Sequence, residues 1–223
     1  MNLRPMLIAN AALLALMVGV SLWAWDLIPD GAKVPVDWDL RGEPERFGSK
    51  LEALAALPGL VVLMTLLLYG LPWLDPRRAN IEASAKFWNA ISIGTAILLA
   101  YLHILVVLAA AKVMRIEVAS AIVPAINILF ILVGNYLGKT RSNWFAGVRT
   151  PWTLSSEYSW EKTHRWTGRL FVASGIVGLA SWFVVGAHVA TMVSLAALLV
   201  SVIAAIVMSY VFWRNDPDRI TNA

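Results

Sequence analysis

The chain has 223 residues, 59% of them hydrophobic and only 14% charged, with a mean hydropathy of +0.70 and a formal net charge of +4. The apolar share is above that of a soluble domain and the charged share below it, so the chain reads as a polytopic membrane protein. Without cysteine it has no disulfides, no thiolate catalysis and no cysteine-based metal site, and its three histidines lie far apart in sequence.

Crossing a bilayer takes roughly 20 apolar residues as helix. Six stretches are long enough: Leu7–Trp25, Ala55–Leu74, Phe87–Ala111, Val118–Leu137, Leu170–Ala187 and Ala190–Trp213. The first is too long for a secretory apolar region, and no small-residue cleavage site precedes Trp23 and Trp25, so it reads as a retained helix. A connector of about two residues around His188 predicts an antiparallel hairpin of the last two spans. Of the 18 Lys and Arg residues, an arrangement with both termini in the cytoplasm puts twelve inside and six outside. That asymmetry favours this orientation.

The segment between the first two spans, 26–54, then faces outward. Pro35, Gly42, Pro44 and Gly48 break it into turns, and Val34, Val36, Trp38 and Leu40 alternate with polar neighbours in a strand-like pattern. Ser49, with Glu52 three positions on, fits the start of the second helix. Trp38 and Phe47 suit the headgroup level. Seven acidic residues against four basic ones would steer a cationic ligand toward this loop.

Within the spans, His103 suits a bond to a backbone carbonyl or a Ser on a neighbouring helix, although an ionisable group in a membrane also raises transport. Pro124, Asn127, Ile131, Gly134, Asn135 and Gly138 recur at three- or four-residue spacing, a face for tight helix packing. Gly168, Gly175 and Gly178, with Ser174 and Ser181, form a second small-residue face.

The stretch 138–169 places Trp144, Trp152, Trp160 and Trp166 among Lys139, Arg141, Arg149, Lys162, Arg165 and Arg169. Thr150 followed by Pro151 is a helix start, and Ser155 or Ser156 caps a second helix with Glu157 in its first turn. Trp160, Thr163, His164, Thr167 and Phe171 share one side of that helix. One reading lays this aromatic face in the headgroups while Lys162, Arg165 and Arg169 meet anionic lipid. Asn135, Arg149 and His164 are expected to cluster at the membrane edge. No nucleophile–base–orienter set is evident, so no catalytic residue, metal or cofactor is expected.

The run Gly134-Asn135, Asn143, Gly147 through Leu154 (Gly-Val-Arg-Thr-Pro-Trp-Thr-Leu), Trp160, Thr163-His164-Arg165 and Gly168 resembles the SdpI family of bacterial membrane proteins. The outer segment resembles that family's associated N-terminal domain of unknown function through Pro35, Trp38, Gly42, Glu43 and Ser49-Lys50, with Asp37 where His is usual. The resemblance implies immunity against a secreted, membrane-active killing peptide. It also implies a receptor role, in which the toxin-bound protein holds a small winged-helix repressor at the membrane. Residues implied on the toxin side are Asp37, Trp38, Gly42, Glu43 and Lys50. Those implied on the repressor side are Asn135, Asn143, Arg149, Thr150, Pro151, Trp152, Trp160, Thr163, His164 and Arg165.

The fold expected is all-α: one integral membrane domain over residues 1–223, with six transmembrane helices, a structured outer loop and an amphipathic cytoplasmic loop. The partners expected are membrane lipid, a toxin peptide and a repressor, with no direct contact to nucleic acid. The rival function is transport of a proton or small solute past His103, Asn127 and Asn135. No inverted repeat or pair of broken helices supports it.

Overall fold

The computed structural model describes residues 1–39, 43–113 and 118–220. Its elements, in chain order, are α1 (Arg4–Ala24), β1 (Val34–Trp38), β2 (Pro44–Gly48), α2 (Lys50–Leu74), α3 (Arg78–Ala83), α4 (Ala85–Ala110), α5 (Val118–Leu137), α6 (Pro151–Ser155), α7 (Glu157–Val185), α8 (Ala187–Arg214) and α9 (Pro217–Ile220). Among the described residues, six helices (α1, α2, α4, α5, α7 and α8) are long and apolar enough to cross a membrane. Ile8, Leu22, Phe183, Val184, Leu199 and Ile203 on them remain exposed, an arrangement that suits hydrocarbon and not water. The protein is a multi-pass, predominantly helical membrane protein.

The span positions follow the apolar runs. The helix that starts at Glu157 continues into the fifth span, as one 29-residue helix. The connector to α8 is shorter than expected: Gly186 alone, at φ +80°, turns the chain, and His188 lies inside α8. Positive φ is a conformation that glycine adopts without steric cost.

The outer segment folds as an antiparallel hairpin, with Val34 opposite Gly48 and Trp38 opposite Pro44. The alternation at Val34–Trp38 does form β1, while Leu40 lies outside the described residues. Ser49 caps α2 by accepting the Glu52 N–H at 3.1 Å. The Glu52 carboxylate turns to Arg46 instead of completing a capping box.

Six crossings leave the hairpin at one end of the bundle and the 138–156 loop at the other. At the hairpin end, Ala24, Ile28, Val34, Leu54, Val107 and Val118 form a buried cluster, against which the half-buried Trp38 packs. Trp38 is thus held by protein on one side.

Two helix groups share the α4–α5 contact. In the first, Asn10 on α1 donates to Thr65 on α2 and Ser92 on α4, both at 2.9 Å. Deeper toward the hairpin, His103 Nε2 lies 3.1 Å from the Met17 carbonyl and 3.0 Å from Ser21 Oγ, which donates to the Leu54 carbonyl. Such bonds contribute about 0.6 kcal/mol each in membrane bundles, so they fix register more than they add stability. His103 is therefore engaged structurally, in the carbonyl-and-serine arrangement that its sequence context suggests.

In the second group, α7 packs between α5 and α8. Gly134 and Gly168 meet backbone to backbone: a Cβ on either would stand 2.5 Å from the other's carbonyl oxygen. Gly175 receives the Asn127 backbone carbonyl and Gly178 the Asn127 side chain, whose Nδ2 donates to Ser194 on α8 at 3.0 Å. Asn135 is exposed at the edge of this face.

Candidate functional site: a clamped polar loop

The 138–156 segment is tied down from three directions. The first tie is internal. Asn143, fully buried, accepts the Phe145 and Ala146 amides at 3.0 and 2.7 Å, and donates to the Arg141 and Ala146 carbonyls at 2.9 and 3.1 Å. One amide side chain closes the whole turn, the role Asn plays best because it both donates and accepts.

The second tie is to α7. Trp160, 1% exposed, donates its indole N–H to the Thr140 carbonyl at 3.1 Å and stacks on the His164 ring at 4.0 Å. His164 is also fully buried. Its Nε2 lies 2.9 Å from the Val148 amide, which can only donate, so Nε2 carries the lone pair. The proton then sits on Nδ1 and is donated to the Trp160 carbonyl at 2.8 Å. The ring is neutral and both nitrogens are engaged. Gly147 at φ +116° lies against it, and a Cβ there would collide with Nε2.

The third tie is to neighbouring connectors. Asp75, at the end of α2, accepts the Trp144 amide at 2.9 Å and the Arg77 amide at 2.7 Å. Arg77 donates to Ser142 Oγ and to the Leu154 carbonyl. Asn80 donates to the Ser142 carbonyl at 2.8 Å, and Ser84 accepts the Arg141 amide at 2.8 Å. On the other flank, Thr150 donates to Ser209 Oγ at 3.0 Å, and Ser156 to the Asp216 carboxylate at 2.5 Å. The helix starts are built as the sequence indicates. Thr150 and Thr153 exchange reciprocal capping bonds around Pro151, and Ser156, not Ser155, accepts the Ser159 amide to cap α7.

The expected site residues therefore fall into two sets. Asn143, Thr150, Trp160, Thr163 and His164 are buried, while Asn135, Arg149, Pro151 and Arg165 are exposed and Trp152 is half-buried against Tyr210. The cluster expected of Asn135, Arg149 and His164 does not form. Arg149 reaches the Trp144 carbonyl at 2.6 Å, His164 is interior, and Asn135 lies beside Lys139 and Arg165. Nor does the side of α7 carrying Trp160, Thr163, His164 and Thr167 lie in headgroups, because the loop itself covers it. On the outer side of α7, Glu161 pairs with Arg165 at 2.8 Å.

Sequence reasoning missed Asp75, Arg77, Asn80, Ser84, Ser209 and Asp216. Asp75 and Asp216 carry one local signal: each stands before a proline at the end of a span, and each is buried.

At the opposite end, Asp37 and Glu43 are exposed. Lys50 is held by Asp30 at 2.9 Å and lies over the Trp25 ring. Gly42 lies outside the described residues. A cleft of about 560 Å³ opens here, with Trp25, Phe47, Leu51, Asp30 and Lys33 on its walls.

Comparison with known proteins matches residues 139–211 to the SdpI/YfhL protein family and residues 12–62 to a domain of unknown function, DUF1648. The chain thus carries an SdpI family segment over the first of these stretches. Its SdpI segment takes in most of the clamped loop and nearly all of α7 and α8, and its DUF1648 segment takes in the hairpin. A curated relative is the Immunity protein SdpI of Bacillus subtilis (strain 168), 26% identical over 94 residues. That alignment covers 42% of this chain and 45% of the relative, so it spans less than half of either. No solved structure gives a significant match.

Proposed function

We propose that this protein is a membrane immunity protein that protects a cell against a secreted, membrane-active killing peptide. The observation that carries the reading is the family segment 139–211, which contains the clamped loop. Likeness to a protein named for immunity supports it. The hairpin faces outward and the loop faces the cytoplasm, as the Lys and Arg asymmetry favours.

A cationic peptide is drawn to the acidic outer segment, where Asp37 and Glu43 are exposed, and finds apolar contact on Trp25, Phe47 and Leu51. Trp38 and Lys50 act from behind, setting the hairpin's position. At the other end, Trp144, Arg149, Pro151 and Trp152 form a basic and aromatic surface of the composition that interface hot spots use. A winged-helix repressor docks there while toxin is bound. Asn143, Thr150, Trp160, Thr163 and His164 keep that surface in shape without touching the partner.

Cells producing the chain should survive a dose of the killing peptide that lyses control cells. Survival should be lost on replacing Asp37 and Glu43 together by Ala while membrane levels stay unchanged. Equal killing with and without the chain would sink the reading. Because the chain lacks cysteine, a single cysteine placed at Glu45 or at Trp144 reports sidedness by labelling. Only the first should react from outside.

A further inference from the structure

Where the end of α5 meets the first half of α7, a cleft of about 380 Å³ opens on the surface. Lys139, Arg165 and Arg169 line it together with Asn135, and no carboxylate does. Three basic side chains converging without an acid among them form a concentrated positive field, which invites an anion.

The cleft exists because of glycines. Gly134 and Gly168 bring the two helices to backbone contact, and Gly138 lets the chain pass the Arg165 backbone, where a Cβ would stand 3.1 Å from its Cα. The floor is therefore main chain, and the cations stand as a rim around it. The end of α5 would oppose an anion if its last carbonyls pointed inward. However, the Tyr136 and Leu137 carbonyls already accept the Lys139 and Thr140 amides at 3.0 and 3.2 Å. Two of the cations have weak present partners: Arg165 pairs with the exposed Glu161, and Lys139 lies 4.6 Å from the centre of the Tyr136 ring. Exposed pairs of this kind contribute little and are easily exchanged.

Depth in the membrane identifies the anion. α5 ends at Leu137 and the apolar run of α7 begins at Leu170, so the rim sits where hydrocarbon gives way to headgroups. Val172 continues the cleft on its apolar side. A soluble anion would use only the rim, whereas a phospholipid would place its phosphate on the rim and an acyl chain past Val172. We propose that this cleft binds one anionic phospholipid, with its phosphate held by Lys139, Arg165 and Arg169 and by the Asn135 amide. The site takes Asn135 and Arg165 from the residues that the resemblance implies on the repressor side, but none of the proposed docking surface of Trp144, Arg149, Pro151 and Trp152, and it does not depend on the immunity reading.

The full chain, purified and placed in phosphatidylcholine nanodiscs, is titrated with phosphatidylglycerol, and retained lipid is counted by native mass spectrometry. One tightly held phosphatidylglycerol is expected. The pair Arg165→Gln with Arg169→Gln should weaken it by roughly 25-fold, about fivefold per basic residue. Lys162→Gln removes a charge from the same helix outside the cleft and should leave retention unchanged. Fold retention in each variant is checked by its melting temperature. Equal retention of phosphatidylcholine, or no loss in the double variant, would overturn the proposal. A parallel titration with inorganic phosphate settles the source. Binding as tight as that of the lipid would assign the cleft to a soluble anion and overturn the lipid, whereas no binding supports it.

Discussion

The two ends of this molecule are built on opposite plans. The hairpin end turns charged residues and an aromatic outward: Asp37, Glu43 and Arg46 are exposed, as is Phe47, and the Arg46–Glu52 pair lies at the surface. The loop end turns its distinctive residues inward: Asn143, Trp160, Thr163 and His164 are buried and nearly all engaged by backbone groups. A motif residue is therefore not a contact residue by virtue of being in the motif. At one end the distinctive side chains stand at the surface. At the other they build the shape that different, plainer residues present.

Substitutions should separate these plans by size of effect. The largest belongs to Gly147, because an alanine there must hold a positive φ and displace the His164 ring. Gly147→Ala should destabilise the loop by about 3 kcal/mol, read as protease sensitivity between 139 and 156 in detergent. Its cost should fall clearly in a His164→Ala background, because the two positions share one contact. Strict additivity would show that the ring is not what excludes the Cβ. Asp75→Ala comes next, since it strips two backbone amides of their acceptor. A loss of about 2 kcal/mol is expected, with a matching drop in melting temperature. Thr150→Val removes a cap and the bond to Ser209. About 1 kcal/mol is expected, and a value near zero would mean that Pro151 alone starts α6. The smallest effect belongs to the other end: Asp37→Ala should change stability by less than about 0.5 kcal/mol while lowering protection in the killing assay. A large stability loss at Asp37 would erase the contrast between the two ends.

The same contrast governs what the sequence reveals. Six spans, the caps at Ser49, Thr150 and Ser156, and the helical spacing of Trp160, Thr163, His164 and Thr167 are all local patterns, and all are present in the structure. What covers that helical face is not local. An aromatic side with basic neighbours fits lipid headgroups as well as it fits a returning loop, and only the fold chooses between them. The clamp from Asp75, Arg77, Asn80 and Ser84 joins positions more than fifty residues apart in sequence. No periodicity announces such a pairing. Gly186 was hidden for a different reason: one glycine can reverse a helix where composition suggests a longer connector.

The 138–156 loop is held shut by buried side chains, its own Asn143 together with Trp160 and His164 of α7 and Asp75 at the end of α2. Amide hydrogen exchange on the peptide spanning Trp144 to Thr153, measured on the chain in nanodiscs, tests it most directly. Protection at Trp144, Val148 and Thr153, with Val148 losing its protection in His164→Ala, is the predicted result. Exchange across this peptide at the rate of an unstructured chain in the unaltered protein would contradict it.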